Sequence, residues 1–135
     1  MKKFFWLIAI AVLFNSCSVE EEPEFHYEIL AVDSYIAPET FIFNESHAIK
    51  VFYKKPTTCH AFQGFYFDTS GNVRTIAVQS LISHTDNCLP LEDNLQEATF
   101  YFTVKSYQTY LFKFYKGNDE EGNATYDIIE IPVTN

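Results

Sequence analysis

Alternation of side chains with a period of two, repeated along most of the chain, is the feature that most limits its fold. In "EATFYFTVKSY", Phe100, Phe102 and Val104 fall on one face, and Thr99, Tyr101, Thr103 and Lys105 on the other. In "TYLFKFYKG", Tyr110, Phe112 and Phe114 alternate with Leu111, Lys113 and Tyr115. A period of two sends successive side chains to opposite faces of an extended strand and does not build the stripe of a helix. The few residues between these two runs predict a hairpin. "TYDIIEIPV" follows the acidic turn at residues 117–122 and supplies Ile129, Ile131 and Val133 to a closing strand. Pro132 has no N–H for a ladder, so that end is expected at a sheet edge.

"HYEILAVDSY" and "HAIKVFYKK" read as two further strands, joined through Pro38-Glu39 and a short segment at residues 41–43. "CHAFQGFYFD" and "VRTIAVQSLIS" flank Thr69-Ser70-Gly71-Asn72, a strong turn signal. Helix is expected only in the N-terminal segment and in one turn near "LEDNLQEA". The expected fold is all-β, an immunoglobulin-like two-sheet β-sandwich of about seven strands. A small barrel is the alternative, because alternation does not separate the two.

The N-terminus has a different character. Lys2 and Lys3 precede an apolar run at residues 4–14, followed by Asn15, Ser16 and Cys17. A basic start, a short apolar run and a small-residue junction are the anatomy of a secretory signal. The run is about half the roughly twenty residues a helix needs to cross a bilayer, so a permanent membrane span is not expected there. Ser16-Cys17, a small residue before a cysteine, resembles the lipobox of bacterial lipoproteins. "FNSCS" is similar to the signals of Bacteroidota lipoproteins.

That resemblance implies a signal peptide at 1–16, fatty-acyl (palmitate-type) attachment at Cys17, an acidic tether at 17–24 and a β-domain at 25–135. It implies a protein held on the outer membrane by lipid. A cysteine lying by chance beside an ordinary cleavage site is the other reading. The order of strand runs is also similar to that of small lipoproteins of flavobacteria-like organisms, without any functional motif. Glu20, Glu21, Glu22 and Glu24 crowd the segment after Cys17 with Pro23 among them. Like charges and proline keep such a segment extended and solvated, which accounts for it as a tether. Acid directly after the cysteine also resembles the export signal of Bacteroidota surface lipoproteins, which implies a domain facing the medium.

Charge narrows the partners. Residues 1–16 carry Lys2 and Lys3 and no acid, so their removal takes the formal charge from −9 to −11. Nucleic acid demands a basic footprint and is not an expected partner. An acidic body does not lie flat on anionic lipid either.

With Cys17 assigned to lipid, Cys59 and Cys88 remain as a pair in an exported chain. A disulfide between them would stabilise the fold by roughly 3 to 4 kcal/mol and tie down the long connection "SHTDNCLPLEDNLQE". The alternative is a metal site from Cys59, His60, His84, Asp86 and Cys88. Two thiolates and two imidazoles could close a zinc shell, but this spacing matches no zinc finger or ribbon. Neither metal nor cofactor is expected. The acidic turn at 117–122 lacks the alternating oxygen ligands of a calcium loop.

No nucleophile elbow, Walker loop or zincin helix occurs, so the chain is not expected to be an enzyme, and no catalytic residue is assigned. Tyr66, Tyr101, Tyr107, Tyr110 and Tyr115 lie on or beside strands. They could form a contact face for a protein or glycan, or simply pack across strands. The expected role is an envelope-anchored binding or structural accessory. The alternative is a small metal-dependent or hydrolytic protein acting on envelope polymers.

Overall fold

All seven alternating runs become strands, but they divide and pair in ways that alternation does not reveal. The structure is a computed structural model in which residues 24–84 and 87–135 are described. Cys17, the glutamates at 20–22 and Asp86 therefore lie outside the described residues. The strands are β1 (Phe25–Leu30), β2 (Ser34–Ile36), β3 (Phe41–Ile42), β4 (Ser46–Lys54), β5 (His60–Ser70), β6 (Val73–Ser83), β7 (Leu95–Thr103), β8 (Tyr110–Asn118), β9 (Ala124–Ile131) and β10 (Val133–Thr134).

The expected immunoglobulin-like, two-sheet, seven-strand sandwich is not what forms. Among the described residues, ten strands make three sheets of five, three and two strands. Two of the expected strands split because their backbone groups change partners midway. In "HYEILAVDSY", the Val32 N–H donates to the Tyr115 carbonyl at 2.7 Å and the Asp33 N–H to the Phe52 carbonyl at 2.8 Å. The chain thereby leaves the larger sheet as β1 and enters the three-stranded sheet as β2. In "TYDIIEIPV", Pro132 ends β9, an edge strand, and its carbonyl accepts from the Phe41 N–H at 2.8 Å. Val133 and Thr134 then pair in parallel with Phe41 and Ile42.

β6 organises the five-stranded sheet. Hairpin partner β5 runs antiparallel along one side of it. The other side is shared: β1 lies antiparallel to residues 78–83, and β8 lies parallel to residues 73–76. β9 follows β8 through the acidic turn. The three-stranded sheet is β2-β4-β7, antiparallel throughout.

The hairpin expected between β7 and β8 does not form either. β7 pairs with β4 and β8 with β6 and β9, so the connection at 104–109 arches from one sheet to the other. The aromatic faces of both runs meet across the core instead: Phe102 lies 5.0 Å from Tyr110 and 5.2 Å from Phe112, ring centroid to centroid. Nor is there a helical turn near "LEDNLQEA", where a bend leads directly into β7.

The core is built from the inward faces of the two larger sheets. Ile49, Val51, Ile76, Val78, Phe112 and Phe114 are fully buried in it. Phe41, from two-residue β3, is its hub, with the rings of Phe102, Tyr110 and Phe112 5.4–5.9 Å away. Truncating such a ring typically costs about 3–5 kcal/mol. A strand of only two residues thus carries much of the packing.

Candidate functional site

The outer face of the five-stranded sheet carries a broad aromatic surface. Register places Ile29 beside Gln79, Tyr66 beside Ala77, Thr75 beside Lys113, and Tyr115 beside Tyr126. Alternation turns all of these away from the core. Ile29, Tyr66, Thr75, Ala77, Tyr115 and Tyr126 line a shallow depression of about 230 Å³. The exposed large side chains on this face run from 37% at Tyr126 to 59% at Tyr27, with Ile128 at 55%, and Tyr115 is half-buried.

Charge on the face comes from Asp68, Lys113 and Glu130. The Lys113 ammonium lies 4.3 Å from the centre of the Tyr126 ring, a cation–π contact. The Tyr115 hydroxyl donates to Asn118 Oδ1 at 2.9 Å, which fixes its ring at the rim. A large apolar area with a few oriented polar tips can hold a partner by surface burial and orient it by hydrogen bonds.

The five tyrosines expected to share a contact face are divided among different surroundings. Tyr66 and Tyr115 lie on the outer face. Tyr110 is buried beside Phe112 and Phe41. Tyr101 projects from β7, and Tyr107 stacks on Phe43 with centroids 4.0 Å apart. Two residues that the sequence reading missed, Tyr27 and Tyr126, complete the face. Their signal was present: "HYEIL" and "TYDIIEI" are apolar at both parities, which marks a strand with two apolar faces.

No family model matches this chain, and neither a curated protein nor a solved structure does.

Cys59, Cys88, His60 and His84 resolve into structural contacts. Cys59 and Cys88 form a disulfide, with Cα atoms 5.3 Å apart. Beside it, the Thr58 N–H donates to the Leu89 carbonyl at 3.0 Å and the Leu91 N–H to the Pro56 carbonyl at 3.1 Å. The long connection is therefore held against the start of β5. Buried His60 has Nε2 at 2.9 Å from Glu28 Oε2 and Nδ1 at 2.8 Å from Thr57 Oγ1. An ionised carboxylate can only accept, so Nε2 carries the hydrogen; in the neutral ring Nδ1 then accepts from the threonine hydroxyl. His84 turns elsewhere, its Nε2 lying 2.7 Å from His26 Nδ1.

The metal alternative loses both thiols to the disulfide, and its two histidines take different partners. Among the described residues no group of three or more His, Cys, Asp or Glu side chains converges as a metal site. In the acidic turn, one oxygen of Asp119 accepts from the N–H groups of Glu121 and Asn123, both at 2.9 Å. That carboxylate is occupied in holding the hairpin. Among the described residues no helix is long and apolar enough to cross a membrane.

Proposed function

We propose that this chain is a lipoprotein anchored at the outer membrane through Cys17, whose β-domain faces the cell surface and serves in binding rather than catalysis. The observation that carries the binding role is the outer face of the five-stranded sheet, with Tyr27, Ile29, Tyr66, Tyr126 and Ile128 exposed around one shallow depression. Apolar surface of this extent costs solubility unless a partner covers it. The occupant is a protein or glycan of the envelope. The anchor rests on the junction "NSCS" and the acidic run that follows it.

A photoreactive residue in place of Tyr126 tests the binding role in living cells. A discrete adduct should form there, and none from the same residue at Tyr101 on the other sheet. Equal labelling at both positions, or none at Tyr126, refutes the role given to this face. For the anchor, Cys17→Ala should shift the chain from the detergent phase to the aqueous phase. Unchanged partitioning would remove the lipid from the account.

A further inference from the structure

The outer edge of β5 offers a second surface, which borders the proposed binding face and shares Tyr66 with it. Eleven residues long, β5 pairs with β6 on one side only; among the described residues, no strand pairs with its other side. Exposed sheet edges present unpaired N–H and C=O groups, and folded proteins blunt them with charge, proline, short length or a bulge. The edges formed by β2, β9 and β7 show these devices. β2 has three residues, β9 carries Asp127 and Glu130 and ends at Pro132, and β7 carries Glu97, ion-paired to Lys50 at 2.9 Å. β5 has one carboxylate, Asp68, and a bulge near its start between Phe62 and Gly64.

That bulge matters for which side chains meet the neighbouring sheet. Without it, Phe62 would face away from Phe65 and Phe67. The extra residue, Gln63, resets the alternation, with Gly64 at φ +148°, a region that favours glycine. All three phenylalanines then turn towards the three-stranded sheet: Phe62 onto Tyr53 at 5.8 Å, Phe65 and Phe67 onto Phe100 at 5.1 and 6.1 Å. They remain incompletely covered, Phe62 being 45% and Phe67 43% exposed.

The geometry points to a second copy of this chain as the occupant of that edge. An antiparallel pair related by a two-fold axis at Phe67 would set Phe67 against its own counterpart on the inner face. The same register would set Tyr66 opposite Asp68 of the other copy, twice, on the outer face. Opposed residues of an antiparallel pair share a face, and register gives Tyr66 and Asp68 the outer face and Phe67 the inner one. The strand from Gly64 to Ser70 is thus its own complement, in shape and in hydrogen bonding.

Its seven residues span about 24 Å, and two stacked sheets with their side chains are about 20 Å deep. The contact is then on the order of 1,000 Å² in total, the lower limit for a specific interface. The pairing is accordingly weak and depends on concentration. Crowding the chains on a membrane through the proposed lipid anchor would favour it.

Sedimentation of the purified full chain in detergent, with cysteine crosslinking in cells, tests the pairing. The parent should pass from monomer to dimer as its concentration rises through the micromolar range. Phe67→Cys should give a disulfide-linked dimer on a non-reducing gel, and Glu130→Cys on the opposite edge should not. Asp68→Lys removes both tyrosine–aspartate pairs without touching the core and should weaken the dimer about tenfold. The proposal fails if the parent stays monomeric at all concentrations, if both cysteine variants crosslink equally, or if the dimer survives Asp68→Lys and Phe67→Ser unchanged.

Discussion

The two flanks of this molecule, where the edges of the larger sheets meet, are finished differently. On the flank formed by β2 and β9, Tyr35 reaches across the gap. Its ring stacks on Phe114 at 3.9 Å, and its hydroxyl donates to Asp127 Oδ2 at 2.7 Å. One side chain thus joins the three-stranded sheet to the edge of the five-stranded sheet, by an apolar contact and a polar one. On the flank formed by β5 and β7, the same gap is filled by Phe62, Phe65 and Phe67 against Tyr53 and Phe100. No polar side chain spans it among the contacts of these rings. A clasp needs no further partner, whereas a row of half-exposed phenylalanines gains stability from any surface that covers it.

The largest test of this difference lies at the end of the β5–β7 flank, where the disulfide holds the connection beside β5. Replacing both Cys59 and Cys88 with Ala should lower stability by about 3–4 kcal/mol, since the bridge closes 29 residues of sequence separation. Denaturant unfolding measures it. Protease should then cut the 84–94 connection before any other segment. Loss of stability without preferential cutting there would show that the bridge does not brace this flank in particular.

A pair of single truncations comes next. Tyr35→Ala removes the stacked ring and the hydrogen bond together and should cost about 2–3 kcal/mol. Phe67→Ala removes a ring that is already 43% exposed and should cost about 1 kcal/mol. Urea midpoints of the two variants, at low protein concentration to keep self-association out, give the comparison. Equal costs would mean that the two flanks are sealed equally well.

The strands of this fold were legible, and their partners were not. Alternation found every long run because one face of each sheet lies on the core. It could not assign β8 to a parallel place beside β6, since neighbours in a sheet leave no mark on the period of either strand. The arch between β7 and β8 illustrates this: a short link between two strands suits a hairpin and a crossing equally well, and the choice depends on which core face each strand supplies. The two missed breaks have local causes, the change of partner at Val32 and Asp33 and the missing N–H of Pro132. The disulfide was legible once Cys17 was set aside for lipid, which left Cys59 and Cys88 as a pair. The proposed binding face was half legible: Tyr110 already shared a parity with Phe112 and Phe114, so its burial could have been read, and Tyr126 stood opposite Ile129 in the same run. What hid the face was the assumption that each strand has one apolar side.

The smallest expected effect is the most specific to the clasp. Burial, then the hydrogen bond to Asp127 and its charge, push the Tyr35 phenol up from 10.0 to about 12. A phenol harder to ionise in the folded state than in the unfolded one stabilises the fold fully below pH 10, and that contribution is lost as pH rises towards 12. Tyr35→Phe keeps the ring and loses the hydroxyl, so it should cost about 1 kcal/mol near neutral pH for a hydrogen bond at a partly exposed site. Between pH 10 and 12 the gap between parent and variant should close, because the parent alone gives up this contribution. Burial also raises the Tyr53 phenol on the other flank, so both proteins should keep a shared alkaline loss of stability. Phe67→Ala supplies the contrast, because it removes no ionisable group and its gap from the parent should stay constant over the same range. If the Tyr35→Phe gap also stays constant, the hydroxyl does not clasp Asp127 in solution, and the two flanks differ only in how deeply their rings are buried.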